Sequence, residues 1–139
     1  MVKQFFVSST DITNFSGHTW KIGTVLGEHE LYRGMPTVVP IHMSINKIVV
    51  GISLNDVIKF NRNKFCYDKV LEGGKVEILT IGEIIVKMNK RLQIPLYQPI
   101  YVDNKTSQLT WKKLGKEVGY TTKHQDKDGF VQIKVDFTK

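Results

Sequence analysis

Residues 73–87, GGKVEILTIGEIIVK, decide how the chain is read. Val76, Ile78, Ile84 and Val86 share one parity, and Lys75, Glu77, Glu83 and Lys87 share the other. Successive side chains of a strand point to opposite faces, so this alternation predicts a long β-strand with one apolar face. Gly82 interrupts it. A glycine inside so regular a strand fits a sheet that bends sharply, as at the corner of a small barrel, where the missing Cβ lets the chain coil without a clash.

The neighbouring segments repeat the pattern on a shorter scale. At the C-terminus, DKDGFVQIKVDFTK (126–139) places Val131, Ile133, Val135 and Phe137 on one side of a strand, after an Asp128-Gly129 turn. Its hairpin partner is KEVGYTTK (116–123), where Val118, Tyr120 and Thr122 alternate against Gly119, Thr121 and Lys123. IYVDNKTSQLTW (100–111) reads as another hairpin, running in through Ile100 and Val102, turning at 103–107 and returning through Leu109 and Trp111. Pro95 and Pro99 cannot donate ladder hydrogen bonds and belong at an edge or in a loop. On the other side, Gly73-Gly74 supplies a turn after the strand-like FCYDKVL (65–71). INKIVVGISL (45–54) gives a strand with Ile48, Val50 and Ile52 on one side, and PTVVPIH (36–42) a short apolar segment between prolines. LNDVIKFNRNK (54–64) fits either a short helix capped by Asn55 or an irregular connection. Short strands at close spacing, without a sustained helical period, predict an all-β fold, a small antiparallel barrel or sandwich.

Residues 1–35 differ from the rest. Phe5, Phe6, Phe15, Trp20, Leu26, Leu31 and Tyr32 keep neither helical nor strand period for long, and Gly17, Gly23, Gly27 and Gly34 punctuate them. They read as an extended N-terminal arm ahead of a domain spanning 36–139, or as a pair of short strands folded onto that domain.

Composition bounds the class. With 139 residues, 41% apolar and 24% charged, the chain fits one globular domain able to bury a core. It contains no apolar run of membrane-spanning length, and its opening lacks the apolar region of a secretory signal, so a soluble chain is expected. Cys66 is the single cysteine, which excludes an internal disulfide and a thiolate-rich metal site. The net charge of +7 is spread along the chain on outward positions of the predicted strands, as on a solvated basic surface.

His18, His29, His42 and His124 stand at no ligand spacing with one another or with the cysteine. Glu28-His29-Glu30 is the best metal candidate, but adjacent residues of a strand face opposite ways. QDKDGF (125–130) opens like a calcium loop, yet Val131, Gln132 and Ile133 follow where acidic ligands would be needed. None of the serines lies in a G-x-S-x-G context, and VLEGGK (70–75) lacks phosphate-loop spacing. The expectation is a protein that is not an enzyme, with no catalytic residues, no metal and no cofactor.

Taken in order, VVP (38–40), IVVGISLND (48–56), KVLEGGKVEILTIGEIIV (69–86), PIYVDNKTSQLTW (99–111), LGKEVGY (114–120) and GFVQIKVDF (129–137) resemble the succession of segments in tailed-phage virion decoration proteins. The head fibre and capsid decoration proteins of small podophages are the nearest relatives by this pattern. The chain departs from it at Ser107-Gln108, where a Gly usually precedes "L-T", and at Gln98-Pro99, where "G-D" is usual. The resemblance implies a non-enzymatic virion structural protein on the capsid surface. Its partners would be the major capsid protein and further copies of itself, with a trimer as the first expectation. The N-terminal region would attach it, with Phe5, Phe6, Phe15 and Trp20 buried against a neighbour and Lys21 and Arg33 facing acidic groups there. A membrane is not an expected partner. The alternatives are a small basic β-barrel binding nucleic acid, with Tyr97, Tyr101, Trp111 and Tyr120 as stacking groups, and a phage assembly or tail adaptor.

Overall fold

The computed structural model describes residues 4–13, 18–29, 37–58, 70–71, 75–88 and 93–138. The strand predicted from residues 73–87 is β7 (Lys75–Lys87), and the sheet is organised around it. The other strands, in chain order, are β1 (Gln4–Thr13), β2 (Val25–Glu28), β3 (Val38–Pro40), β4 (Val49–Ser53), β5 (Val57–Ile58), β6 (Val70–Leu71), β8 (Pro99–Asp103), β9 (Gln108–Thr110), β10 (Glu117–Thr121) and β11 (Phe130–Asp136). No α-helix occurs among the described residues, and a single 3-10 turn, Ile41–Met43, follows β3. The fold is all-β, as the alternating segments predict.

One antiparallel sheet runs in the order β3-β2-β4-β7-β11-β10-β8-β9 and curls into a half-barrel. Two neighbours share β7: β4 pairs with Ile78 and Leu79, and β11 pairs with residues 81–87. β1 also pairs with β7, along Lys75 to Ile84. The two predicted hairpins are present as β8–β9 and β10–β11. Pro99 opens β8, a position that asks no ladder hydrogen bond of it. β5 and β6 form a separate parallel pair, so Val57 and Ile58 of the ambiguous 54–64 segment are strand.

The four apolar residues of shared parity in β7 do not share a face. Val76 and Ile78 pack with Trp20, Leu26, Val38 and Val57, whereas Leu79 and Ile84 belong to the larger core with Val25, Ile52, Ile100, Val131 and Ile133. The cause is a bulge. Ser8 stands opposite Ile81 and Ser9 opposite Leu79, so Thr80 is an extra residue that re-phases the strand. Gly82 follows two residues later with φ 155°, a backbone that disfavours a Cβ. The bulge thereby carries the strand's apolar set from one face of the sheet to the other.

A second irregularity lies in β10. The register against β8 shifts between Glu117 and Gly119, so Val118 and Thr121 are buried while Tyr120 is exposed. The expected common face of Val118, Tyr120 and Thr122 is corrected by that shift.

The larger core fills the inside of the half-barrel, and the smaller covers the outside of its β3-β2-β4 end. Ile52, Leu79, Ile84 and Ile133 are fully buried, each worth about 1.5–3 kcal/mol relative to exposure. The curl brings the β8–β9 turn back to the far end of the sheet, where Val25 N–H donates to the Ser107 carbonyl at 2.7 Å.

Candidate attachment surface

The segment 1–35 contributes two strands to the sheet. β1 lies along β7, and β2 sits between β3 and β4. Trp20 is buried within the chain itself. Its backbone exchanges hydrogen bonds with Val57 at 3.1 and 2.8 Å, and its indole N–H donates to Ser53 Oγ at 3.0 Å. Lys21 is exposed beside it, along a cleft of about 220 Å³ that Thr24, Lys87 and Gln108 also line. Phe5 and Phe6 lie on β1. Phe15 and Arg33, and the rest of 30–36, lie outside the described residues. The structure thus brings Trp20 and Lys21 together and places Phe5 and Phe6 on a strand paired to β7.

β1 is ten residues long and pairs with β7 along one side. Among the described residues no strand pairs with its other side. Its sequence, QFFVSSTDIT, contains no lysine or proline, the residues that usually discourage strand addition at an edge.

Beside β1, the outer face of β7, β11 and β10 forms an open trough of about 890 Å³. Ile81, Glu83, Glu117, Tyr120, Lys134 and Asp136 line it. Three carboxylates around one lysine make it locally acidic in a chain of net charge +7. Glu83 is held in place by Gln132, whose Nε2 donates to Oε2 at 2.6 Å.

Exposed apolar groups gather at two further places. Met43, Ile45 and Ile48 crown the connection from β3 to β4, with Ile45 76% exposed. Tyr97, 70% exposed, stands 6.2 Å from Tyr120, centroid to centroid, next to exposed Leu96. A third feature is a small cavity of about 210 Å³ lined by Gln93, Ile94, Pro95, Gln98 and Trp111. Its parts come from the 93–98 segment and the end of β9, which sequence separation hides; only Trp111 is conspicuous in the sequence.

The most suggestive polar pair is His42 with Ser107. Ser107 Oγ lies 2.6 Å from His42 Nδ1 and accepts the His42 backbone N–H at 2.9 Å. Ser107 is 1% exposed, at φ 60°, so its oxygen is closed to a substrate. With the Val25 bond to the same residue, this pair latches the β8–β9 turn to β2 and the 3-10 turn. His29 meets His18 edge-on at 6.4 Å, and its Nδ1 is enclosed without a hydrogen-bond partner. Among the described residues no three His, Cys, Asp or Glu side chains converge on one point. The carboxyl of Asp103 is held below the usual aspartate range, chiefly by the Lys105 backbone N–H, which donates to Oδ1 at 2.9 Å, and by the Thr106 hydroxyl and N–H. That is the chemistry of a tight turn. Compared with known proteins, the chain matches no family model and no curated protein sequence.

Proposed function

We propose that this chain is a non-enzymatic virion protein that decorates a tailed-phage capsid. In this reading its N-terminal region binds the major capsid protein, and copies of the chain associate on the capsid surface as a trimer. The observation that carries the reading is β1, a ten-residue strand from the N-terminal region with one side on β7 and no partner on the other among the described residues. Such a strand adds readily to a sheet of another chain, with backbone hydrogen bonds supplying affinity and alternate side chains supplying selectivity. The segments that carry the resemblance to decoration proteins also fall on β3, β4, β7, β8–β9, β10 and β11, all strands of a single sheet. Weak contacts suffice for the task, because several copies about a symmetry axis multiply the arms engaged.

The test is co-sedimentation of the full chain with empty heads assembled from the cognate major capsid protein. The native chain is expected to pellet with the heads, and a Phe5→Ser, Phe6→Ser, Lys21→Glu variant to remain in the supernatant with an unchanged far-ultraviolet spectrum. Native-like decoration by that variant would sink the proposal. Binding of single-stranded DNA at about 150 mM salt, lost in Trp111→Ala and Tyr101→Ala, would replace it with the nucleic-acid reading.

A further inference from the structure

We infer that the cavity between the 93–98 segment and Trp111 is a carbohydrate site that takes one neutral pyranose ring. This goes beyond the attachment reading and does not depend on it. The cavity, about 210 Å³, is smaller than the ~300–1,000 Å³ of a drug-sized pocket, so it suits one ring of a glycan. Ile94 and Pro95 give it an apolar floor and Trp111 an aromatic wall, and among the described residues no charged side chain lines it.

Its polar groups are unspent. Among the described residues the Gln93 side chain has no hydrogen-bond partner, Gln98 uses only its Nε2 in a long 3.3 Å contact to the neighbouring Pro99 carbonyl, and the Trp111 indole N–H has no acceptor. Two amides and an indole N–H around an apolar floor offer donors and acceptors together. Vicinal hydroxyls of a sugar give and take hydrogen bonds in the same way, and the C–H edge of a pyranose ring packs against an aromatic face. A proline-rich peptide would also stack on Trp111, but proline offers only a carbonyl and would leave both Gln Oε1 acceptors unanswered.

The site is held ready by Thr121, which is fully buried. Its hydroxyl donates to the Pro95 carbonyl at 2.7 Å and accepts the Gln98 N–H at 2.8 Å, while its own N–H donates to the Gln98 carbonyl at 3.0 Å. Its carbonyl accepts the Tyr97 N–H at 3.0 Å. On the next turn of chain, Gln125 Oε1 accepts the Ile94 N–H at 3.3 Å. One buried threonine thus fixes the segment from 95 to 98, so binding orders little chain that is not ordered already. Lys112 Nζ, 5.8 Å from the Trp111 ring centroid, adds a cation to the indole from outside the cavity lining.

The experiment follows the two indole N–H resonances of the full chain by nitrogen-15 correlation spectroscopy. Methyl α-glucopyranoside, methyl α-galactopyranoside and N-acetylglucosamine are titrated separately, with decaproline as the peptide probe. The Trp111 resonance is expected to move saturably with at least one sugar, with a Kd on the order of 1 mM, while that of buried Trp20 stays still. Trp111→Ala, read by saturation transfer from the sugar, and Gln98→Leu are each expected to weaken binding about tenfold or more. A dispersed Trp20 resonance shows that a variant has folded; if Trp111→Ala has not, Gln98→Leu and Gln93→Ala decide the matter. No movement of Trp111 with any of the three sugars overturns the inference. So does a response to decaproline alone, which would make the cavity a peptide site, and so does sugar binding that survives the folded variants.

Discussion

Gly119 stands opposite Val135, and Val135 opposite Gly82, so a row of two glycines flanks one valine across three strands. A Cβ at Gly119 would be driven into the Lys134 carbonyl oxygen, with the carbonyl carbon 3.0 Å away. Those atoms are backbone and cannot rotate aside, so Gly119→Val is expected to destabilise the chain by about 1–3 kcal/mol through overpacking. The check is a lower urea midpoint at an unchanged m-value. Asp103 offers a test of charge at the same scale. Its carboxyl is held below the usual 3.8 chiefly by the Lys105 backbone N–H, opposed by burial and aided by the Thr106 hydroxyl and N–H. A folded-state pKa lower than the unfolded one contributes stability that is full above the ordinary value and fades as pH falls through the folded one. Asp103→Asn is therefore expected to be the less stable protein at neutral pH and to lose that disadvantage as acid protonates the native carboxyl, as urea midpoints followed from neutral into acid pH would show.

At the scale of the element, β7 turns on one extra residue. Deleting Thr80 would remove the bulge and leave Leu79 and Ile84 four residues apart, still on one face, whereas inserting an alanine after Thr80 would put them on opposite faces, since a one-residue slip reverses every side chain beyond it. That insertion is expected to cost more than about 4 kcal/mol or to abolish cooperative unfolding, whereas Thr80→Ala, which keeps the count, should cost far less. Thermal denaturation of the two variants separates the effects. The same element shows what could be read in advance. β7, β11 and the two hairpins are legible because alternation and turn residues are local: Asp128-Gly129 announces its turn, and Gly129 does sit at φ 91°. The bulges at Thr80 and at 117–119 are not, because a bulge is defined against the partner strand. β2 was obscure for another reason. Val25 faces the larger core and Leu26 the smaller, so a strand buried on both sides shows no polar alternation to find. In the candidate sites, Trp111 and the exposed tyrosines stand out by type alone, but Gln93 and Gln98 acquire meaning only when the fold seats them against Trp111.

For the whole molecule, the placement of β2 changes what can be removed. A chain lacking residues 2–30 would lose β1 and also the strand that joins β3 to β4, together with Trp20, Val25 and Leu26 from the two cores. It is expected not to fold, which proton spectra lacking dispersed amide signals would reveal, so attachment is better probed by point substitutions than by truncation. Sharing of β7 among β1, β4 and β11 has a further consequence, in time. β11 begins at Phe130, and β1 ends at Thr13, so the strand that unites them cannot gather both until the chain has been synthesised through β11. Pairings so distant in sequence are slow to form, and the transition state for folding is expected to centre on β7 and β11, which pair along all of Phe130–Asp136 where β4 meets β7 only at Ile78 and Leu79, and whose connection is shorter than that of β1 to β7. Ile84→Val should then mainly slow refolding and Val38→Ala mainly speed unfolding, a contrast that stopped-flow chevrons would display. During synthesis β1 has no partner until β7 emerges, so chaperone dependence and yield, more than final stability, are the properties that mutations in β7 should move first.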